Sequence, residues 1–243
     1  MTTAPVADQH RLLSVQEFDT KADQAKHRRA SHPALATLAE LAARASALDE
    51  EILGMSTEVS DLRREVTKAE DDVQSVRSRA ERDRARLDAG QGSPKDLQAL
   101  VSEVELLTRR QSDLEDIELE AMERLEAAEA ALAAARAEAT AIGASRTAAE
   151  AERDAAWGEI DAELALLATG RSAAVAGLDA ALVALYEKLR ESHGGIGAAP
   201  LARGACQGCH MNLNPSDLAV MEAAPAEQVL RCEECGRILI RGS

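Results

Sequence analysis

The sequence predicts a mainly α fold: a long antiparallel coiled-coil hairpin on a helical base, followed by a small C-terminal β ribbon. Three observations predict it. Apolar residues alternate in steps of three and four from Leu38 to Ala80 without a fault, a second such stripe follows a short Gly-Pro turn, and the C-terminal segment holds all four cysteines in two Cys-x2-Cys pairs. Composition agrees. Only Phe18, Trp157 and Tyr186 are aromatic, and the 46% of hydrophobic residues is mostly Ala and Leu beside 29% charged residues. A compact core of this length would bury many rings. Ala, Leu and charge in this balance belong to long helices.

The first helix is expected over 8–31, ended at Ser31-His32-Pro33 because a residue before proline leaves the α region. The first arm then reads Leu38, Leu41, Ala45, Leu48, Ile52, Met55, Val59, Leu62, Val66, Ala69, Val73, Val76, Ala80. A strict 3.5-residue repeat specifies a left-handed coiled coil whose partner carries a like stripe. Leu97, Leu100, Val104, Leu107, Leu114, Ala121, Leu125, Ala128, Leu132, Ala135, Ala139 and Ile142 supply it, with polar Gln111 and Glu118 on the same ladder. Polar residues at such positions cost stability and fix register.

Between the stripes, Gly90 suits a helix C′ position, Ser93 an N-cap and Pro94 the first helical position. So short a turn makes the arms antiparallel neighbours in one chain, folded about residue 92 with Leu41 near Ile142. A monomer is expected, with a parallel homodimer as the alternative. Arms of about 57 residues reach roughly 85 Å at the helical rise.

Residues 1–193 are thus assigned to the helical hairpin, with a shaft at 34–150, a tip at about 90–94 and a base from 8–31 and 151–192. In the base, Ile160, Leu164, Leu167, Val175, Leu178, Leu182, Leu185 and Leu189 should pack on Leu12, Leu13, Val15 and Phe18. Residues 194–202 read as a Gly-rich linker that lets the ribbon change its angle to the base. Residues 203–243 form the ribbon. Asn214-Pro215 should start a helix over about 215–222, and Met211, Leu213, Val229, Leu230, Ile238 and Ile240 a thin apolar layer.

The ribbon's cysteines, Cys206-x2-Cys209 and Cys232-x2-Cys235 with 22 residues between the pairs, read as one structural Zn²⁺ site with four thiolate ligands. Gly236 after Cys235 tolerates the positive φ that a knuckle turn needs. Disulfides or a redox pair fit less well, since nothing else looks secreted and no βαβ pattern surrounds either pair. His210 is read as a bystander beside four sufficient thiolates. So small a core needs the metal, which supplies about 10–16 kcal/mol in comparable sites.

Other chemistry is absent from the pattern. Phosphate-binding loops, His-Glu-x2-His and nucleophile elbows do not occur, and the five histidines are scattered. Carboxylates on solvated helix faces lack the burial that tunes acid–base catalysts, and an all-cysteine zinc site keeps no open position. The chain is therefore read as no enzyme. No apolar run approaches a membrane span, and Met-Thr-Thr-Ala-Pro-Val-Ala-Asp lacks the marks of a signal peptide. A cytoplasmic protein is expected.

The net charge of −15 opposes a general grip on nucleic acid. It is unevenly spread: residues 102–138 hold eleven acids against four arginines. Residues 77–95 hold Arg77, Arg79, Arg82, Arg84, Arg86 and Lys95 against three acids, and these six are the candidate contacts to nucleic acid or a partner. The ribbon sets four arginines, Arg203, Arg231, Arg237 and Arg241, against five acids, and thiolates on zinc add negative charge. Without an aromatic for base stacking, it is a poor reader.

Cys206-Gln-Gly-Cys209, Cys232-Glu-Glu-Cys-Gly-Arg-Ile-Leu239, and Ser93-Pro-Lys-Asp-Leu-Gln-Ala-Leu100 followed by Leu114-Glu-Asp-Ile-Glu-Leu-Glu120 carry a resemblance over nearly the whole chain. The chain resembles the bacterial four-cysteine zinc-ribbon proteins with a long N-terminal coiled-coil hairpin, once catalogued as a domain of unknown function. Its Ala content resembles an actinobacterial member. Ile240 departs from the Tyr that often ends the last strand in that family. The resemblance implies a cytoplasmic interaction protein, in a family whose members associate with transcription factors, flagellar or secretion machinery, and RNA. The functional expectation is a zinc-ribbon coiled-coil adaptor for unidentified protein partners in transcription or regulatory assemblies. The alternative is a nucleic-acid-binding protein that uses the basic tip or the ribbon.

Overall fold

The computed structural model describes residues 2–242. They form two compact units, residues 37–149 and the segment up to Ala36 together with everything from Glu150 on. In chain order the helices are α1 (Val6–Ala30), α2 (Pro33–Asp88), α3 (Pro94–Val175), α4 (Ala180–Ser192) and α5 (Pro215–Ala223). The strands are β1 (Ala198–Ala202), β2 (Ala205–Cys206), β3 (Leu230–Arg231) and β4 (Ile238–Ile240).

In residues 37–149, the α2 and α3 arms pair antiparallel within the chain. Leu48, Val59, Leu62, Val66, Ala69, Val73 and Ala80 of one stripe, and Leu107, Leu114, Ala121, Leu132, Ala135 and Ile142 of the other, are buried. Ile142 shares a cluster with Leu41, Ala45 and Leu48, as the fold about residue 92 requires. Gln111 and Glu118 stay half-buried on the seam. Cross-arm ion pairs join Arg63 to Glu129 at 2.6 Å, Arg124 to Glu65 at 2.8 Å, Arg79 to Glu103 at 2.7 Å, and Arg44 to Glu138. Exposed pairs contribute about 0–1 kcal/mol each, so the apolar ladder holds the arms together and the charges bias their register.

The turn forms as its residues dictate. Gly90 has φ +61°, Gly90 N donates to Leu87 O and Gln91 N to Arg86 O, which together make a Schellman ending. Ser93 Oγ accepts from Asp96 N while Asp96 Oδ2 accepts from Ser93 N and Oγ. These reciprocal bonds cap α3 and hold the Asp96 carboxyl below its usual pKa.

The second unit is one core shared by helices and ribbon. Leu12 and Val15 of α1, Leu182, Tyr186 and Leu189 of α4, and Ala198, Val229, Ile238 and Ile240 of the ribbon are buried together. The stripe read through 151–192 is cut: α3 ends at Val175, the chain turns at Gly177, and Asp179 caps α4 by accepting from Leu182 N at 2.8 Å. Asp8 Oδ2 in turn accepts from Asp179 N. Trp157 donates to Arg29 O, and the guanidiniums of Arg29 and Arg153 lie 4.3 and 5.0 Å from its ring centre.

The expected linker at 194–202 is instead built into this core. Its residues 198–202 are β1, the sheet order is β2-β1-β4-β3, and β1 pairs parallel to β4 with Ala198 opposite Ile238. Gln16 Nε2 donates to Gly195 O, and its Oε1 accepts from Gly197 N at 2.8 Å. A Cβ on Gly197 would lie 2.6 Å from Tyr186 O. The glycine is there for close approach to α4, and its neighbours are pinned rather than hinged. The first residues also join the ribbon. Thr3 bridges Gln228, with Ala4 N donating to Glu227 O at 2.8 Å and Val229 N to Thr2 O at 3.0 Å.

Asp19, buried at 4% exposure, anchors the helices of this unit. It accepts from Arg171 Nε at 2.6 Å and from Tyr186 Oη at 2.7 Å, and Arg190 Nε lies 3.4 Å away. Arg190 also reaches Asp23, and Arg171 reaches Glu187. Burial first, then the Asp19 carboxylate, push the Tyr186 phenol well above its usual value of 10. Since Tyr186 is the only tyrosine, tyrosinate absorbance should stay flat through pH 10 and rise only when the protein unfolds. The folded state holds this proton more tightly than the unfolded state, so its stability contribution is intact below pH 10 and is lost as pH rises further. Tyr186→Phe should lack that alkaline decline, whereas a reversible ionisation near pH 10 in the native protein would contradict the assignment.

Candidate metal centre

Each Cys-x2-Cys pair sits on a tight turn, and the two turns are built alike. In the first, Cys206 N donates to Met211 O, and His210 N returns to Cys206 O at 2.8 Å. In the second, Cys232 N donates to Arg237 O, and Gly236 N returns to Cys232 O at 2.7 Å. The residue after each second cysteine is left-handed, His210 at φ +60° and Gly236 at +72°. His210 therefore serves through its backbone, and its side chain is exposed.

The four Sγ atoms lie within 4.8 Å of one another, with Cys206 to Cys235 and Cys209 to Cys232 both at 3.9 Å. A tetrahedral zinc with bonds of about 2.3 Å has sulfur–sulfur edges of about 3.8 Å, so the arrangement fits one structural Zn²⁺. Cys206 and Cys232 are buried, and Cys209 and Cys235 half-buried. Burial pushes the Cys206 thiol up and the Cys232 thiol to about 12. Burial acts likewise on Cys235, but hydrogen bonds from the Arg237 backbone and side chain outweigh it and bring that thiol to about 7.

The apolar layer against the cysteines consists of Ala199, Leu213, Met221, Leu230 and Leu239. Leu213 and Leu230 are where the sequence places them. Val229, Ile238 and Ile240 are not: they face the helical core, because alternate strand residues point to opposite sides. Met211 is 53% exposed and joins neither layer. Asn214 caps α5 by accepting from Ser216 N.

Three of the four ribbon arginines serve as braces, which sequence reasoning missed. Arg231 Nε donates to Gly236 O, Arg237 to Ile196 O and His193 O, and Arg241 to the carbonyls of Met221, Ala224, Pro225 and Ala226. The six basic residues near the turn are all exposed. Arg79 pairs with Glu103 and Asp83, and Arg86 with Asp83. Arg77, Arg82, Arg84 and Lys95 have no ion pair among the described residues. An open cleft of about 520 Å³ lies between α1 and Gly194–Ile196, lined by Thr20, Asp23, Gln24, His27 and Arg28. Among the described residues no helix is long and apolar enough to cross a membrane.

Comparison with known proteins places these features. Residues 15–194 match the family model of the CT398-like coiled coil hairpin domain, and residues 205–239 that of the C4-type zinc ribbon domain. The uncharacterized protein Rv2229c of Mycobacterium tuberculosis strain H37Rv is 34% identical over 98% of this chain and 97% of its own length. A solved protein from Mycobacterium smegmatis superposes with a TM-score of 0.86 at 34% identity, over 99% of this chain and 100% of that one. CT398 from Chlamydia trachomatis gives 0.71 at 20% identity over 97% and 98%, and HP0958 from Helicobacter pylori 0.53 at 15% over 99% of both. These last two share the fold.

Purified protein should carry one zinc per chain. Chelation, or Cys232→Ser, should loosen more than the ribbon: α1 and α4 should lose hydrogen-exchange protection as Val229, Ile238 and Ile240 leave their core, while residues 37–149 keep theirs. Protection loss confined to 203–242 would show that the helical base stands without the sheet. Zinc must displace protons from the raised thiols, so its affinity should fall with falling pH, by about tenfold per unit for each proton displaced.

Proposed function

The chain belongs to the family of CT398-like coiled coil hairpin proteins with a C4-type zinc ribbon, and from that membership we propose that it is a non-enzymatic adaptor that binds other proteins in the cytoplasm. One observation carries the reading. The groups that would serve chemistry are used up in holding the fold: four thiolates fit one closed zinc site, and the buried Asp19 accepts from the buried Tyr186 and the half-buried Arg171. What remains is long exposed helix surface, which suits recognition along its length. A role in transcription or regulatory assemblies is the finer form of this proposal.

A second reading rests on Arg77, Arg82, Arg84 and Lys95, whose exposed charges are left without ion pairs among the described residues. Such side chains reach phosphates without a shaped groove, so weak, salt-sensitive binding of RNA or DNA at the tip is the alternative.

Capture from native lysate with the full-length, zinc-loaded protein separates the two. The adaptor reading expects the same proteins retained after nuclease treatment. Should capture vanish with nuclease, the tip reading takes its place. Arg77→Glu, Arg82→Glu and Arg84→Glu together should then abolish binding, and each single change should lower the log–log salt slope by about 1, since one phosphate fewer is neutralised.

A further inference from the structure

The acidic middle of α3 carries apolar side chains that nothing in the chain covers. Leu119 is 56% exposed and Met122 46% exposed. With Glu115 and Glu126 they follow the spacing i, i+4, i+7, i+11, which puts all four on one helix face. Residues 113–129 hold eight acids and one arginine. That arginine, Arg124, is taken by Glu65, and of the acids only Glu129 has a cation partner among the described residues, Arg63. Seven of these acids have no ion pair among the described residues, and by helical spacing Glu115, Glu123 and Glu126 lie beside Leu119 and Met122.

We propose that this stripe docks a basic amphipathic helix of a partner protein. The inference rests on the adaptor reading and says where and with what chemistry it acts. Leu119 and Met122 give the apolar anchor at helical spacing, and Glu115, Glu123 and Glu126 select lysines or arginines along its edges. Nucleic acid is excluded by the sign of the charge. A second copy of this chain fits poorly: two such stripes would set Glu against Glu. The basic run at 77–95 holds no exposed large hydrophobic among the described residues that could cover Leu119 and Met122.

The probe is an amidated Leu/Lys peptide of about five helical turns, titrated into the full-length, zinc-loaded protein. A Lys/Ser peptide of equal charge is the comparison. Leu119→Gln with Met122→Gln should weaken Leu/Lys binding about tenfold or more, a drop typical of anchor residues. Glu115→Gln with Glu126→Gln should weaken it and flatten its salt dependence. Ile117→Gln is the control, because Ile117 is also exposed but faces another flank of α3. It should leave affinity within about twofold. All these positions are exposed, so unchanged helical signal and melting temperature should show that the variants fold. Equal weakening by Ile117→Gln, equal affinity for the Lys/Ser peptide, or self-association abolished by the Leu119/Met122 change would each overturn the proposal. If the Leu119/Met122 variant captures the same lysate proteins as the unsubstituted chain, this face is not the docking site, yet the adaptor reading stands. If neither captures protein after nuclease, the adaptor reading itself falls.

Discussion

The three-residue strand β4 lies between two apolar layers. Leu239 points into the layer that covers the cysteines, and Ile238 and Ile240 point into the core of α1 and α4. Both faces of one strand are thus buried, which couples the zinc site to the helical core. The metal contributes far more than so thin a sheet could on its own. Its constraint reaches the helices through β4 and β1 and through the bridge from Thr3 to Gln228.

Charge has two roles in this chain, divided by burial. Around the buried Asp19, the buried Tyr186 and two half-buried guanidiniums, those of Arg171 and Arg190, converge, because a buried charge without a partner is costly. On the arms, ion pairs such as Arg63 to Glu129 remain hydrated and add little beyond register. Many arm charges form no ion pair among the described residues, and a solvated charge needs none. Their sign varies along the arms, from the basic turn to the acidic middle of α3.

The chain carries both a hairpin domain and a C4-type zinc ribbon, and the ribbon strands complete the core of α1 and α4. Arginines that might be read as a phosphate-binding set hold carbonyls of the ribbon and of the His193–Ile196 segment. A closed four-thiolate centre has no site for substrate. The ribbon thus secures α1 and α4.

Much of this was legible in the sequence because it depends on local order. A 3–4 ladder interrupted by Gly90 and Pro94 determines an antiparallel hairpin, since the period sets the apolar stripe and a short turn leaves no other partner. Two Cys-x2-Cys pairs determine a metal site, since each knuckle is closed by hydrogen bonds between near neighbours. Tertiary structure decided what spans the chain. Residues 194–202 looked like a linker because glycine signals freedom, yet Gly197 is small so that Tyr186 can pass, a closeness no local pattern records. Ile238 and Ile240 looked like cover for the metal, because strand alternation says that neighbours face opposite ways but not which face meets the helices. The bonds joining Asp19 to Arg171 and Tyr186 were invisible for the same reason: buried polar groups choose partners by position in space, and the sequence records only distance along the chain.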